Sequence, residues 1–306
     1  LQIWNTQRLE YFNGGFPIDS RERSENYNWQ SPSKSNKILS CLFESSDNRR
    51  LLKMGIIGGR LGYSILRSIA PRETVVNDNE IENADLKDTK LNQFFGKSFF
   101  DETTGKTVID FGCGNGKQAV EIALNGAKKV IGIDIEEQRL EQAEKLAGKF
   151  HVAERCKFVA QTNEKADIII SKDAFEHFHD PVAVLHQMRN LLKAGGYIFA
   201  AFGPTWYHPF GGHLFSVFPW AHFLFTEEAL IEWRSDFKSD GATRFCEVEG
   251  GLSQLTIRRF ETVVNEAGFR FLLFETVPIK GLRFLRNSLL REFGSSIVRC
   301  KLVPKT

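Results

Sequence analysis

Short apolar runs alternate with stretches of helical spacing through the middle of the chain. Val108, Ile109 and Phe111 form the first run, as in a strand buried on both faces of a parallel sheet. Residues 118–125 follow at helical spacing, with Ala119, Ile122 and Ala123 on one face and Gly126 as a stop. The alternation continues with strands over 130–133, 157–160, 167–170 and 197–202. Between them come helices over 136–150, through Leu140, Ala143, Leu146 and Ala147, and over 184–192, through Leu185, Met188 and Leu191. Thr256 caps a further helix over 257–267, which Gly268 ends. A sixth strand over 269–277 and a seventh over 296–303, running antiparallel, complete the pattern. Strands alternating with helices predict an α/β fold with a seven-stranded, mostly parallel sheet and helices on both faces.

The flanks are less regular. Residues 1–48 are polar, with Gly14, Gly15, Pro17 and Pro32, and Trp4, Tyr11, Phe12, Phe16, Tyr27 and Trp29 punctuate them. They read as an N-terminal arm that docks its rings on the main body. Residues 49–72 hold six Lys or Arg and no acid. Leu52, Ile56, Leu61, Ile65 and Ile69 fall near helical spacing there, and Gly55, Gly58, Gly59 and Gly62 weaken the helix. A broken surface helix with a solvated basic face is one reading, and an interfacial membrane contact is the other. Residues 77–90 read as a linker, 91–100 as one helix, and 282–293 as a basic amphipathic helix. Between 202 and 225 there are nine aromatic residues, with His208, His213 and His222. This stretch reads as an inserted lid that needs its rings for its own core. The expected division is 1–90, arm and basic segment; 91–202, cofactor-binding core; 203–255, substrate lid; 256–306, the rest of the sheet.

Composition narrows the class without naming the function. The 306 residues are 42% hydrophobic and 25% charged, ordinary for a globular chain able to bury a sizeable core. The net charge of +2 hides an asymmetry. Residues 280–306 carry seven Lys or Arg against Glu292, a net of +6, so the remainder is −4. Cys41, Cys113, Cys156, Cys246 and Cys300 make no C-x-x-C, so neither a zinc site nor a disulfide framework is expected. No apolar run is long enough for a transmembrane helix and no signal-peptide pattern is present, so a cytoplasmic protein is expected. The chain opens on Leu1, and its natural N-terminus is expected to lie upstream.

The chemistry gathers at residues 107–134, TVIDFGCGNGKQAVEIALNGAKKVIGID. Gly112, Gly114 and Gly116 let the backbone turn tightly and come close to a ligand. Asp134, at the end of the next strand, is placed to accept hydrogen bonds from two ribose hydroxyls. The dinucleotide fingerprint G-x-G-x-x-G fails at Lys117, and Asp110 beside the loop disfavours a pyrophosphate. That carboxylate suits a cofactor with a positive sulfonium and an amino-acid tail. D-x-G-C-G-x-G with an acid at the next strand end resembles the class I S-adenosylmethionine-dependent methyltransferases, whose fold is Rossmann-like. Glu176-His177, followed by Asp180-Pro181, resembles the branch containing ubiquinone- and menaquinone-biosynthesis and sugar or natural-product O-methyltransferases. The resemblance is tight over about 105–203. The later runs F-G-G-H-L-F-S-V-F-P-W-A-H, from Phe210, and G-G-L-x-Q-x-T-I-R-R-F-E, from Gly250, resemble bacterial methyltransferases of surface-polysaccharide pathways.

The resemblance implies S-adenosyl-L-methionine as cofactor. It assigns its contacts to Asp110, Gly112, Cys113, Gly114, Gly116, Asp134, Ile135, Gln161, Thr162, Ser171 and Lys172. Where the family often has an acid for the adenine, this chain has Gln161, Thr162 and Asn163. His177, just past the fourth strand's C-terminal end, is the first candidate for general base toward a hydroxyl. Glu176 is expected to orient it or to hold a neighbouring backbone amide, and His208 and His213 are alternatives. No metal site is expected. The acceptor implied is a small molecule, a sugar, a polysaccharide or a lipid-linked group, with a peripheral contact to an anionic membrane and no nucleic acid. Two other classes stay open: an inactive cofactor-binding or membrane-associated scaffold, and a nicotinamide-dependent oxidoreductase.

Overall fold

The computed structural model describes residues 55–70, 89–248, 251–280 and 290–305. The arm over 1–48, the linker over 77–88 and most of the basic stretch expected to be helical over 282–293 lie outside the described residues. Seven strands form one sheet: β1 (Thr107–Phe111), β2 (Lys129–Ile133), β3 (Cys156–Val159), β4 (Ala166–Lys172), β5 (Leu192–Phe202), β6 (Phe269–Pro278) and β7 (Ser295–Pro304). Their order is β3-β2-β1-β4-β5-β7-β6. The first five are parallel, and β7 slots between β5 and β6, antiparallel to both. The chain reverses direction across the sheet at β1, between β2 and β4. Ligands of open α/β sheets bind at the strand C-termini of such a switch point.

Helices cover both faces, because strands buried on both sides need apolar partners on both. In chain order they are α1 (Gly59–Ile69), α2 (Leu91–Phe95), α3 (Phe99–Thr103), α4 (Lys117–Leu124), α5 (Glu137–Lys149), α6 (Pro181–Leu191), α7 (Ala221–Leu224), α8 (Glu227–Ser235), α9 (Ile257–Glu266) and α10 (Arg291–Gly294). One face packs Ile109, Ile131, Ile169 and Ile198 against Leu185 and Met188 of α6 and Phe260 and Val263 of α9. The other packs Val108, Val130, Ile168 and Phe199 against α2, α3, α4 and α5. Residues 203–248, with Leu252 and Leu66 of α1, hold a third cluster around Trp206, Phe215, Phe225, Trp233 and Phe245.

Three local expectations need correction. The single helix over 91–100 is two short helices, because Gly96 takes a left-handed φ of 101° and breaks the run. The break lets α2 and α3 be held separately by β7. The Arg299 guanidinium donates to the Gln93 and Phe94 carbonyls at 3.1 and 3.3 Å, and Lys301 pairs with Glu102 at 2.8 Å. In α1 the buried residues are Gly62 and Leu66, while Leu61 and Ile69 of the expected stripe are exposed. The helix approaches α8 through Gly62, where a Cβ would come within 3.0 Å of Ala229. Cys113, Cys156 and Cys300 are free, but Cys246 is disulfide-bonded, where no disulfide was expected from the sequence. Among the described residues no helix is long and apolar enough to cross a membrane.

Candidate functional site

The cofactor side starts at the C-terminal end of β1. Gly112, Gly114 and Gly116 all have left-handed φ, at 80°, 52° and 77°. Their surroundings differ. A Cβ on Gly112 would meet the Ala174 methyl at 2.9 Å, and one on Gly116 would meet Ala143 at 2.6 Å, so both are needed for close packing. A Cβ on Gly114 would meet only the end of Arg139, at 3.7 Å, so this glycine faces open space. Asp134 is bound to the loop: Oδ2 accepts from Gly114 N at 2.8 Å and Oδ1 from Glu136 N at 3.0 Å. A carboxylate has about four acceptor directions, so each oxygen keeps capacity for one more donor. Ile135 beside it exposes 73% of its surface, an apolar side chain presented at the rim.

Asp110, at the end of β1 beside the glycine loop, is almost fully buried, and its Oδ2 has no hydrogen-bond partner. Burial, and secondarily the nearby Asp134, lift its carboxyl from 3.8 to about 7, against the opposing pull of Lys172. Lys172 itself ends β4, paired with Asp173 at 2.5 Å and 4.6 Å above the Phe94 ring. Asp173 sits in the left-handed region at φ 52°. Glu121, bonded by Thr89, is likewise lifted to about 7, by burial. A buried carboxylate with one unpartnered oxygen, a second carboxylate at the loop and an open cradle at Gly114 fit a cationic nucleoside with an amino-acid tail. The thiol of Cys113 faces the core, where burial pushes its pKa up, so only its backbone is available to a ligand. Gln161 is exposed, and Thr162 uses its hydroxyl to accept from Glu164 N at 3.1 Å. Ser171 is fully buried and its hydroxyl has no partner.

The acceptor side lies past β4. Residues Phe175–His177 form a 3-10 turn on which His177 is exposed. Its Nδ1 lies 2.9 Å from the Gly251 carbonyl. A carbonyl only accepts, so Nδ1 carries the hydrogen and Nε2 of the neutral ring keeps its lone pair. His213, also left-handed at φ 52°, stands with its ring 5.4 Å from that of His177. His208 is buried, and its Nδ1 accepts from Phe210 N at 3.0 Å. His222 is buried too. Its Nε2 donates to the Trp206 carbonyl at 2.9 Å, and burial lowers its pKa to about 4.

Glu176 is buried on the same turn. Its Oε1 accepts from Gly203 N at 3.3 Å, and its carbonyl accepts from Ser253 N at 2.9 Å. It therefore joins the end of β5 to the 251–255 strip that also holds His177. Phe94, Asp173 and the Gly251 carbonyl were not singled out from sequence. The G-G-L run at 250–252 was the only signal for the last, and nothing local marks the first two. Among the described residues no group of three or more His, Cys, Asp or Glu could hold a metal.

A family model described as a methyltransferase domain matches residues 102–203. A ubiquinone biosynthesis O-methyltransferase of Neisseria meningitidis serogroup C is 36% identical over 102 residues, 31% of this chain and 43% of that one. A ribosomal protein L11 methyltransferase of Escherichia coli is 38% identical over 74 residues, 23% of this chain and 25% of that one. The chain thus spans less than half the length of these curated relatives. The solved S-adenosylmethionine-dependent methyltransferase of Mesorhizobium loti superposes with a TM-score of 0.45 at 14% identity, covering 71% of this chain and 99% of that one. Residues 102–203, on the parallel half of a seven-stranded Rossmann-like sheet, are a class I S-adenosylmethionine-dependent methyltransferase domain.

Proposed function

We propose that the chain is an O-methyltransferase acting on a hydroxyl of a sugar, polysaccharide or lipid-linked acceptor. One observation carries the oxygen chemistry: the 2.9 Å contact from His177 Nδ1 to the Gly251 carbonyl, which leaves Nε2 as a proton acceptor beyond the end of β4. S-adenosylmethionine supplies a methyl group already activated on a sulfonium sulfur. The protein's part is to align and to move one proton. Asp134 takes the ribose hydroxyls on its remaining acceptor directions. Asp110 and the loop at Gly114 take the amino-acid tail. His177 Nε2 receives the acceptor's hydroxyl proton as the new carbon–oxygen bond forms, a task suited to an imidazole near neutral pH. Alignment of this kind contributes several kcal/mol to such displacements.

The acceptor class rests on the E-H-x-x-D-P and G-G-L-x-Q-x-T-I-R-R-F-E runs and on the exposed position of His177, which admits a large substrate. The test offers radiolabelled methyl donor with separate glycan, extracted-lipid, phenolic and ribosomal-protein fractions. Label is expected in the glycan or lipid fraction and should survive mild base, as an ether does and an ester does not. Label confined to phenols would overturn the acceptor class, and label confined to protein would overturn the oxygen chemistry.

A further inference from the structure

The turn that carries His177 is held by a strip of chain 74 residues further along. His177 Nδ1 lies 2.9 Å from the Gly251 carbonyl. Two residues on, Ser253 N donates to the Glu176 carbonyl at 2.9 Å, and Ser253 Oγ donates to the same oxygen at 3.0 Å. The backbones are in close contact too. Gly251 has a left-handed φ of 72°, and a Cβ there would stand 2.8 Å from the His177 carbonyl. The strip is anchored on either side. Leu252 is buried in the cluster of the inserted segment, with Trp206 and Phe245, and Leu255 in the cluster of the sheet, with Phe260. The start of the insert reaches the same turn, because Glu176 Oε1 accepts from Gly203 N at 3.3 Å.

These bonds bear on the chemistry of the ring. In a neutral histidine, the bond made by one nitrogen decides whether the other keeps its lone pair. Gly251 offers an acceptor, so it selects the Nδ1–H form and leaves Nε2 open to a proton. The side chain is exposed, so without that carbonyl water would meet both nitrogens and the hydrogen would sit on either. A ring in the other form presents an N–H to the acceptor's hydroxyl and cannot take its proton. Where a histidine is the base, the wrong tautomer costs orders of magnitude in rate. We propose that the strip at 251–253, part of the inserted segment, is a positioning element for the base: it fixes the tautomer and direction of the His177 ring. The insert thereby sets the reactivity of a residue that belongs to the core domain.

This deepens the reading of His177 as base and rests on it, but its test needs no acceptor. The test is nitrogen NMR of the full chain, isotopically labelled at histidine, at about pH 9, above the ordinary imidazole range. His177→Gln identifies the two ring signals. In the parent, Nδ1 is expected at a protonated, pyrrole-type shift and Nε2 at a pyridine-type shift. Gly251→Ala drives a methyl group against the His177 carbonyl, and both signals are expected to move toward their common average. Ser253→Ala, which removes only the hydroxyl's bonds, is expected to move them the same way by less. Gly241→Ala is the control, because its φ is also 72° and nothing lies within 4 Å of the added Cβ. It should leave the signals where they are, and melting temperatures report whether each variant is folded. A parent ring in the Nε2–H form would overturn this proposal and the base assignment together. A parent in the Nδ1–H form whose signals stay unmoved in folded Gly251→Ala and Ser253→Ala would overturn this proposal alone. So would a control that moves them as far as Gly251→Ala does.

Discussion

At His177 the direction of one hydrogen bond decides which nitrogen can work as a base. Because Gly251 offers a carbonyl, the lone pair is left on Nε2. On the proposed mechanism His177→Ala lowers turnover by roughly a hundredfold or more while S-adenosylhomocysteine affinity stays within about twofold. Calorimetry beside initial rates checks both, and near-normal turnover moves the role to His213. Asp110 yields a second prediction. The free protein holds a proton there up to about pH 7, whereas the ordinary value is 3.8. A ligand bearing an ammonium favours the carboxylate, so binding expels that proton. Affinity for S-adenosylhomocysteine should therefore fall as the pH drops below 7, by at most about tenfold per unit. For the free fold, the proton is held when the unfolded chain has already lost it, so Asp110 takes stability away as the pH rises from about 4 to 7. Titrations on either side of pH 7 check the binding, and a flat profile, or the same slope in Asp110→Asn, removes Asp110 from the cofactor site. The positions of Asp110, Asp134 and His177 at strand ends were legible in the sequence, because strand ends can be counted from apolar runs. Phe94 and Asp173 were not, because their places depend on a helix break and a left-handed residue that no periodicity records.

At the scale of elements, the capping of α9 shows what local reading reaches and what it misses. Thr256 was legible as its N-cap, and its hydroxyl accepts from Arg259 N at 3.1 Å. The two amides before that one are satisfied from far away. Glu292 accepts from Ile257 N at 2.9 Å and from Arg258 N at 2.8 Å. A carboxylate on a helix N-terminus is favoured by both the free N–H groups and the helix dipole. Glu292→Ala should destabilise the fold by about 1–2 kcal/mol, and Glu292→Gln by less. Urea unfolding measures this, and an Ala variant as stable as the parent means the cap contributes nothing. Helix α1 shows the opposite failure. Its apolar residues Ile56, Leu61, Ile65 and Ile69 fall near helical spacing, but close approach to α8 buries the Gly62–Leu66 side. Glycine carries no hydropathy signal, so a helix contact made through one is invisible to apolar periodicity.

For the whole molecule, the alternation of strands and helices made the sheet and its antiparallel last strand legible, while the strand order is a matter of tertiary packing. The reversal at β1 is what places the glycine loop, Asp134 and the end of β4 at the C-terminal ends of neighbouring strands, and the proposed chemistry stands on that edge being the cofactor site. The most direct test is calorimetric titration of S-adenosylhomocysteine, and separately NAD, into the parent, Gly114→Val and Asp134→Ala. Gly114 faces open space, so a branched side chain there blocks the ligand with little internal clash, and melting temperatures report whether each variant is folded. The account predicts that the parent binds S-adenosylhomocysteine and not NAD. It also predicts that both folded variants bind at least about tenfold more weakly, in line with about 1.5–3 kcal/mol for one charge-assisted hydrogen bond. Folded variants that bind like the parent, or a parent that prefers NAD, would contradict it.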